Sequence, residues 1–255
     1  MASAAEAMSR RRLLEAGAAW LAGVVLLGVA GCGPREGDPE GKISAGAERG
    51  DAMVREVEIR TSRGALRGVL HAADGARGAA VLVSGAGGGV QGPSGVYRDL
   101  AGLLLSDGVT VLRLDYRKPN DLPECTYDVL AALDALARGG AERAVLVGWS
   151  FGGAVVITAG AASERVVGVA TVASQTYGTG EVGELSPEKS LLLIHGTADR
   201  TLPAGLSRQL YARAGEPKEL VLYEGDGHGV ERHRPQMLEK LHEWSRALLL
   251  NEDGP

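Results

Sequence analysis

Apolar positions in this chain first alternate with charged ones and then gather into short continuous runs. In residues 54–59, valine and isoleucine alternate with arginine and glutamate, which is typical of an edge strand with one solvent-facing side. Residues 65–71 are predicted to pair with that strand through a turn at 62–64. Later runs are largely apolar, as expected of strands buried on both faces of a parallel sheet. These runs cover residues 79–83, 109–114, 144–147, 166–172, 191–194 and 220–223.

Segments with helical spacing separate the apolar runs. In residues 126–137, the apolar side chains Val129, Leu130, Leu133 and Leu136 form one stripe along a helix. Further helices are predicted over residues 97–105, 153–161, 203–214 and 235–250. Because strand and helix alternate, we predict an α/β fold: a doubly wound, mostly parallel sheet of about eight strands with helices on both faces.

The predicted domain covers residues 53–250, followed by a flexible tail at 251–255. Between the sixth and seventh strands, residues 174–190 leave too little chain for a lid with a core of its own. We therefore expect no cap domain and an open, shallow site.

The residues before the domain have the pattern of a targeting segment. Arg10, Arg11 and Arg12 precede an apolar stretch that ends Val29-Ala30-Gly31-Cys32. The first part resembles a twin-arginine export signal and the ending resembles a bacterial lipobox. These resemblances imply a signal peptide over residues 1–31, lipidation of Cys32, and export to a lipid-anchored position on the periplasmic or outer-surface face of the cell envelope. A cleaved signal without lipid and an uncleaved anchor stay open as alternatives.

Residues 32–52 are rich in glycine, proline and charge and lack apolar periodicity, so we expect a disordered tether between lipid and domain.

Composition narrows the classes of partner. A formal net charge of −5 provides no basic surface for nucleic acid, and aromatic residues make up only 4% of the chain. The histidines show no metal-ligand spacing, so no metal or cofactor is predicted. With Cys32 lipidated, Cys125 has no disulfide partner and is expected to be inert. The sequence makes no prediction of oligomeric state.

Gly148-Trp149-Ser150-Phe151-Gly152 is the central chemical motif. It follows an apolar run and precedes a predicted helix, the setting of a nucleophile elbow. A serine hydroxyl needs a base to take its proton and an acid to orient that base. Asp199 follows the seventh predicted strand and His228 follows the eighth. The three residues therefore occur in the order nucleophile, acid and base.

Each of these residues has a structural alternative. Ser150 could be a small turn residue, Asp199 a helix cap and His228 a solvated loop residue. Asp115 and Asp226 are competing acids, and Asp226, which stands between glycines, is interpreted as a turn former. His195 is expected to make a structural hydrogen bond to loop backbone.

Taken together, the motifs of the domain resemble those of the α/β-hydrolase superfamily, in particular small capless dienelactone-hydrolase-like esterases. The matching segments are 83–88, 148–152, 195–199 and 225–229. The resemblance implies Ser150 as nucleophile, Asp199 as orienting acid and His228 as general base. It also implies an oxyanion hole formed by the backbone N–H groups of Ala86 and Phe151. True dienelactone hydrolases have cysteine where this chain has Ser150, and many relatives have histidine where it has Ser84.

We therefore expect a serine hydrolase that cleaves small carboxylic esters through an acyl-enzyme. The alternatives are a peptidase or another α/β-hydrolase activity, and a non-catalytic surface lipoprotein that keeps the fold as a binding module.

Overall fold

The alternating segment at the start of the domain forms a hairpin at one edge of the sheet. The computed structural model describes residues 53–250. Strand β1 (Val54–Thr61) pairs antiparallel with β2 (Gly64–His71), and β2 in turn pairs antiparallel with the strand at Thr110–Asp115. Side chains of β1 are mostly exposed or half-buried, as the alternation predicts for an edge strand.

The continuous apolar runs form the parallel part of the sheet. These strands are β3 (Gly78–Val83), β4 (Thr110–Asp115), β5 (Arg143–Trp149), β6 (Val166–Val172), β7 (Ser190–Gly196) and β8 (Lys218–Tyr223). Their spatial order, together with the hairpin, is β1-β2-β4-β3-β5-β6-β7-β8. The predicted mostly parallel, eight-stranded sheet is confirmed, and β5 lies in its interior with all of its central residues buried.

Helices cover both faces of the sheet, as predicted. They are α1 (Val96–Ser106), α2 (Leu122–Arg138), α3 (Phe151–Ala162), α4 (Gly205–Arg213) and α5 (Arg234–Leu250). One core cluster joins the sheet to α2 and α3, for example through Val129 and Val155. A second cluster joins the opposite face to α1 and α5, for example through Leu100 and Leu241.

Helix α2 begins four residues before its predicted start. Asp121 caps it by accepting a hydrogen bond from the Glu124 N–H at 3.2 Å, and Pro123 occupies the first turn. Such a cap satisfies one of the free N–H groups at the helix start, so the helix extends beyond its apolar stripe.

The connection between β6 and β7 carries a single short 3₁₀ helix, Gly180–Leu185. Val182 and Leu185 from this helix are buried in the core on the α3 side of the sheet. Over residues 53–250, nothing in this connection forms a separate cap, and Tyr177 is left 79% exposed.

The predicted signal peptide at 1–31, lipidation at Cys32, tether at 32–52 and tail at 251–255 lie outside the described residues. Among the helices of the described domain, none has the length and apolarity needed to cross a membrane.

Candidate active site

Ser150 occupies the sharp turn between the last residue of β5 and the first residue of α3. Its backbone has φ 57° and ψ −120°, a conformation that a residue with a side chain rarely adopts. The Ser150 N–H donates to the Val172 carbonyl at 2.8 Å, and the Gly153 N–H donates to the Ser150 carbonyl at 3.0 Å. These bonds to the neighbouring strand and to the helix hold the turn in place, so the local strain is supported by the fold.

The glycines of the motif are required by close backbone approach. A Cβ atom on Gly148 would overlap the carbonyl group of Gly152, and one on Gly152 would overlap the carbonyl oxygen of Ser84. A Cβ on Gly85 would lie 3.3 Å from the Cβ of Ser150, which places the glycine loop after β3 against the serine. The spacing G-x-S-x-G therefore reflects the packing of β5, α3 and this loop.

The predicted acid and base meet beyond the carboxyl ends of β7 and β8. His228 Nδ1 lies 2.7 Å from Asp199 Oδ2. The other carboxylate oxygen, Oδ1, accepts hydrogen bonds from the backbone N–H groups of Thr201 and Leu202 at 2.8 and 2.9 Å. Burial by itself would raise the pKa of Asp199, but the hydrogen bonds from His228, Leu202 and Thr201 outweigh it and lower that pKa. The carboxylate is therefore ionised where it contacts the imidazole.

His195 is a fully buried neighbour of this pair. Its Nε2 donates to the Leu202 carbonyl at 2.8 Å, so the predicted hydrogen bond to loop backbone is present. The same nitrogen lies 3.2 Å from Asp199 Oδ2, and Nδ1 lies 2.7 Å from Ser207 Oγ. Burial lowers the pKa of His195, which keeps the ring neutral and leaves Nδ1 to accept from the Ser207 hydroxyl. His195 thus fixes the loop that carries Asp199.

Trp149 connects the serine turn to the histidine loop. Its indole N–H donates to the His228 carbonyl at 3.0 Å, and the two rings lie 5.4 Å apart between centroids. Within residues 53–250, Ser150 Oγ itself forms no hydrogen bond. The structure thus brings Asp199 and His228 into direct contact and joins Ser150 to them through the adjacent tryptophan.

The two predicted oxyanion donors lie on the two segments that meet at the serine. Phe151 begins α3, where the first N–H groups of a helix lack an internal partner. Ala86 lies in an exposed turn closed by a hydrogen bond from the Gly88 N–H to the Gly85 carbonyl at 3.0 Å. In the described part of the chain, neither of the two predicted donors, the N–H groups of Ala86 and Phe151, has a hydrogen-bond acceptor.

Asp115 holds the glycine loop instead of orienting the histidine. Its Oδ1 accepts from the Gly89 N–H at 2.6 Å. Ser84 anchors the same loop from the other side, because its Oγ accepts from the Gly92 N–H at 3.2 Å. The loop that carries Ala86 is therefore tied at both ends.

Asp226 is more than the turn former that its neighbouring glycines indicate. It is 1% exposed and accepts from the N–H groups of Arg232 and His233 at 2.8 and 3.1 Å. His233 Nδ1 lies 2.6 Å from the same carboxylate. These bonds close the loop that carries His228. Local sequence does not indicate this role, because the partners follow six and seven residues later in an irregular segment.

The cysteine of the described domain occupies a structural position. Cys125 is buried, its Sγ lies 3.2 Å from the Lys118 carbonyl, and burial raises the pKa of its thiol to about 12. Over the described residues, no group of three histidine, cysteine or acidic side chains is arranged to hold a metal ion.

Comparisons with known proteins agree with the fold. The family described as "Alpha/beta hydrolase family" matches residues 80–184, a range that contains Ser150 and ends before Asp199 and His228. The Escherichia coli (strain K12) protein "Uncharacterized protein YfhR" is 35% identical over 99 residues, which are 38% of this chain and 33% of that protein. The match thus spans about one third of the length of this curated relative.

Solved structures of hydrolases share the architecture over most of the domain. A dienelactone hydrolase from Anabaena variabilis ATCC 29413 is 20% identical, with a TM-score of 0.66 over 75% of this chain and 97% of that chain. Est1E from Butyrivibrio proteoclasticus is 16% identical, with a TM-score of 0.65 over 74% and 96%. An α/β serine hydrolase homologue from Coxiella burnetii is 18% identical, with a TM-score of 0.63 over 74% and 95%. The strand order, the serine turn and the family match over residues 80–184 together show that this domain has the α/β-hydrolase fold.

Proposed function

We propose that this protein is a serine hydrolase that cleaves carboxylic esters through an acyl-enzyme intermediate. The observation that carries the proposal is the 2.7 Å contact between His228 Nδ1 and Asp199 Oδ2 beside a serine held at φ 57°. A buried, ionised carboxylate paired with an imidazole next to a strained serine turn is the arrangement that nucleophilic acyl transfer requires.

In the proposed acylation step, Ser150 Oγ attacks the ester carbonyl carbon while His228 Nε2 takes the hydroxyl proton. His228 Nδ1–H donates to Asp199 Oδ2 throughout, which leaves Nε2 as the free base. As the tetrahedral intermediate collapses, the C–O bond to the alcohol breaks and His228 returns the proton to the leaving oxygen. A water molecule then repeats the same steps on the acyl-enzyme and releases the carboxylic acid.

Charge in the transition state develops on the former carbonyl oxygen and on the imidazole ring. The N–H groups of Ala86 and Phe151 are proposed to donate to that oxygen, and the start of α3 adds the positive end of the helix dipole. The lowered pKa of Asp199 keeps a negative charge against the imidazolium that forms on His228. Ser150 Oγ and His228 are expected to form their hydrogen bond when substrate binds, because catalytic hydrogen bonds in free enzymes are often long or poorly aligned.

An ester is favoured over a peptide because the described domain has no large structure over the site. The β6–β7 connection packs on the core through Val182 and Leu185 and forms no lid. Cleavage of an amide bond needs firm placement of the substrate and protonation of a poorer leaving group, and a small open site suits activated or simple esters better.

A fluorophosphonate probe tests the chemistry directly. The wild-type protein is expected to be labelled stoichiometrically on Ser150, and Ser150→Ala is expected to abolish both labelling and hydrolysis of short p-nitrophenyl esters. Ser163→Ala, which changes a serine at the far end of α3, serves as the control and keeps both. His228→Gln is expected to lower kcat by roughly 10⁴-fold or more with a native fold.

The possible results separate the alternatives. Absence of labelling and of ester hydrolysis in the folded wild-type protein would refute the proposal and favour a binding module. Labelling on Ser150 combined with cleavage of peptides but not of esters would favour a peptidase.

We further propose that the mature protein is lipid-anchored through Cys32 after removal of residues 1–31. The proposal rests on the arginine-rich start and on the Val29-Ala30-Gly31-Cys32 ending. Intact mass of the exported protein is expected to begin at Cys32 with acyl chains added, and Cys32→Ser is expected to lose them. A mature protein that still contains Arg10 would contradict this processing.

A further inference from the structure

A cavity of about 430 Å³ opens beside the hairpin turn between β1 and β2 and the carboxyl end of β4. Its wall carries four cationic side chains: Arg63, Arg67, Arg117 and Lys118. One carboxylate, Asp115, also lines it. Four cations around one cavity attract a ligand only where their charges are not already balanced within the protein, so the partners of each side chain decide what the cavity can bind.

Arg117 is fully occupied by the protein. Its Nε lies 2.6 Å from Asp128, one Nη lies 2.8 Å from Glu124, and the other donates to the Arg63 carbonyl at 2.7 Å. Arg117 therefore forms the rigid back wall, and its charge is balanced by two carboxylates.

Glu124 is shared among several cations. Besides Arg117, it lies 3.5 Å from Arg63 Nη1 and 3.3 Å from Lys118 Nζ. One carboxylate is thus shared by three cationic side chains. Lys118 is 59% exposed in its side chain, so its long contact with Glu124 leaves its ammonium donors available.

Unlike the other three cations of the wall, Arg67 contacts no carboxylate of the described residues. It lies on β2 directly opposite Asp115 of β4, yet no ion pair joins the two side chains. Within residues 53–250, the Arg67 guanidinium has neither a hydrogen-bond acceptor nor a carboxylate partner. An arginine on a cavity wall with all its donors free is suited to an oxyanion, because the planar guanidinium can bind two oxygens at once.

The cavity adjoins the proposed oxyanion loop and the start of α3. Asp115 binds the Gly89 N–H at 2.6 Å, and the Tyr116 hydroxyl donates to the Ser84 carbonyl at 3.3 Å. The Tyr116 ring meets the Phe151 ring edge to face, with centroids 6.3 Å apart. Since Phe151 follows Ser150, the wall of the cavity is connected to the serine turn through these two packed rings.

We propose that this cavity is a substrate subsite for an anionic group, a carboxylate or a phosphate, and that Arg67 is its principal contact with help from Lys118. The inference rests on the proposed ester hydrolysis and specifies its substrate class: esters that carry a negative charge away from the reacting bond.

Two sets of esters test the preference of the cavity. They compare a carboxylate with a phosphate, and a charge in the alcohol part of the ester with a charge in the acyl part. On the alcohol side, 4-acetoxybenzoate and 4-acetoxyphenyl phosphate are compared with 4-isopropylphenyl acetate, in which methyl groups replace the carboxylate oxygens. On the acyl side, p-nitrophenyl hydrogen adipate is compared with p-nitrophenyl 6-methylheptanoate. The readout is the ratio of kcat/KM for the charged ester to kcat/KM for its neutral partner.

In at least one set, Arg67→Gln is expected to lower this ratio about tenfold or more, mainly through a higher KM, because a charge-assisted hydrogen bond is lost. Arg67→Lys should recover part of the ratio. The control Arg208→Gln changes an exposed arginine on α4, far from the cavity, and is expected to keep the wild-type ratio within about twofold, the size of a distant charge effect. Which charged ester loses most distinguishes carboxylate from phosphate.

An unchanged ratio in both sets, in a folded Arg67→Gln variant that still hydrolyses neutral esters, overturns the subsite while leaving the hydrolase intact. If the wild-type protein hydrolyses no ester at all, the proposed function fails and adipate is titrated calorimetrically instead. Binding of adipate that is lost in Arg67→Gln then supports the anion site on its own, and the absence of binding overturns it.

Discussion

Trp149 Nε1 donates a hydrogen bond to the His228 carbonyl at 3.0 Å, and this bond joins the turn that holds the serine to the loop that holds the histidine. The two residues belong to β5 and to the segment after β8, with β6 and β7 between them in the sheet. The bond thus links the Ser150 turn to the His228 loop directly, across the two intervening strands.

Trp149→Phe is expected to lower kcat about fivefold to tenfold with a small change in KM, because loss of one hydrogen bond of about 1 kcal/mol loosens the histidine loop. Steady-state kinetics on a neutral ester measures the effect. Trp244→Phe is the matched control, because its indole N–H binds Ser190 Oγ at 3.1 Å, away from the site. We expect Trp244→Phe to lower the melting temperature without lowering kcat, and equal kcat values for both variants would contradict the role given to Trp149.

Gly152→Ala is expected to destabilise the protein by about 1–3 kcal/mol or more, because the new Cβ meets the backbone carbonyl of Ser84 and neither element can move aside freely. Gly102→Ala provides the comparison. Gly102 lies inside α1 with open space where its Cβ would stand, so this change should stabilise by roughly 0.5–1 kcal/mol. Urea unfolding measures the free energy of unfolding of both variants. A destabilised Gly102→Ala would show that helix propensity does not determine the effect of this substitution.

Asp226→Asn is expected to cost about 2–3 kcal/mol at pH 7, because three donors lose a buried charged acceptor. The backbone and His233 hydrogen bonds overcome burial and lower the pKa of Asp226. Its contribution to stability is therefore present above the unfolded-state pKa of aspartate and is lost as the pH falls through the lower folded-state pKa. The difference between wild type and variant should shrink in acid.

Asp107→Asn is the control for Asp226, since Asp107 also lies 2.6 Å from a histidine, His242, but with both side chains more than 20% exposed. We expect this change to cost less than about 1 kcal/mol. Similar costs for the two aspartates would mean that burial of Asp226 contributes nothing.

His71 is expected to make the domain sensitive to mild acid. Burial, Arg113 and Arg98 lower its pKa to about 4. Between the unfolded-state pKa of about 6.5 and this value, the unfolded chain binds a proton that the folded chain does not, so stability falls as the pH falls through that window. The loss amounts to about 3 kcal/mol at most, on the scale of 1.4 kcal/mol per pH unit.

His71→Gln keeps an acceptor for the Arg113 Nε–H, which lies 3.2 Å from His71 Nε2, and removes the titration. Urea unfolding between pH 7 and pH 4.5 should give a shallower loss of stability for this variant than for the wild type. Parallel curves for the two proteins would rule out His71 as the source.

The sheet and the contact between Asp199 and His228 could be predicted because the local sequence pattern determines where each strand ends. Apolar runs predicted the six parallel strands, and each strand end placed its loop at one edge, where Asp199 and His228 meet. The start of α2 was placed too late because the cap at Asp121 precedes the apolar stripe. The Asp-x-Pro pattern at residues 121–123 indicates this earlier start of the helix.

Contacts that depend on the exact path of irregular loops could not be predicted. Asp226 has its partners in a loop that includes Val230 at φ 53°, a conformation that no local propensity favours for a β-branched residue. Likewise, Asp115 accepts a hydrogen bond from the Gly89 N–H and forms no ion pair with Arg67 on the facing strand. This arrangement depends on the path of the glycine loop.

The β6–β7 connection is a suitable place to insert foreign sequence into this domain. Residues directly after Tyr177 are held to neighbouring helices: Thr158 Oγ1 donates to the Gly178 carbonyl at 3.1 Å, and Arg213 donates to the Thr179 carbonyl at 2.6 Å. Foreign sequence inserted at Tyr177 would emerge from a solvent-exposed tip, and lengthening a surface loop adds little closure entropy. New substrate selectivity could therefore be acquired by insertion at one point, without altering the strands that carry Ser150, Asp199 and His228.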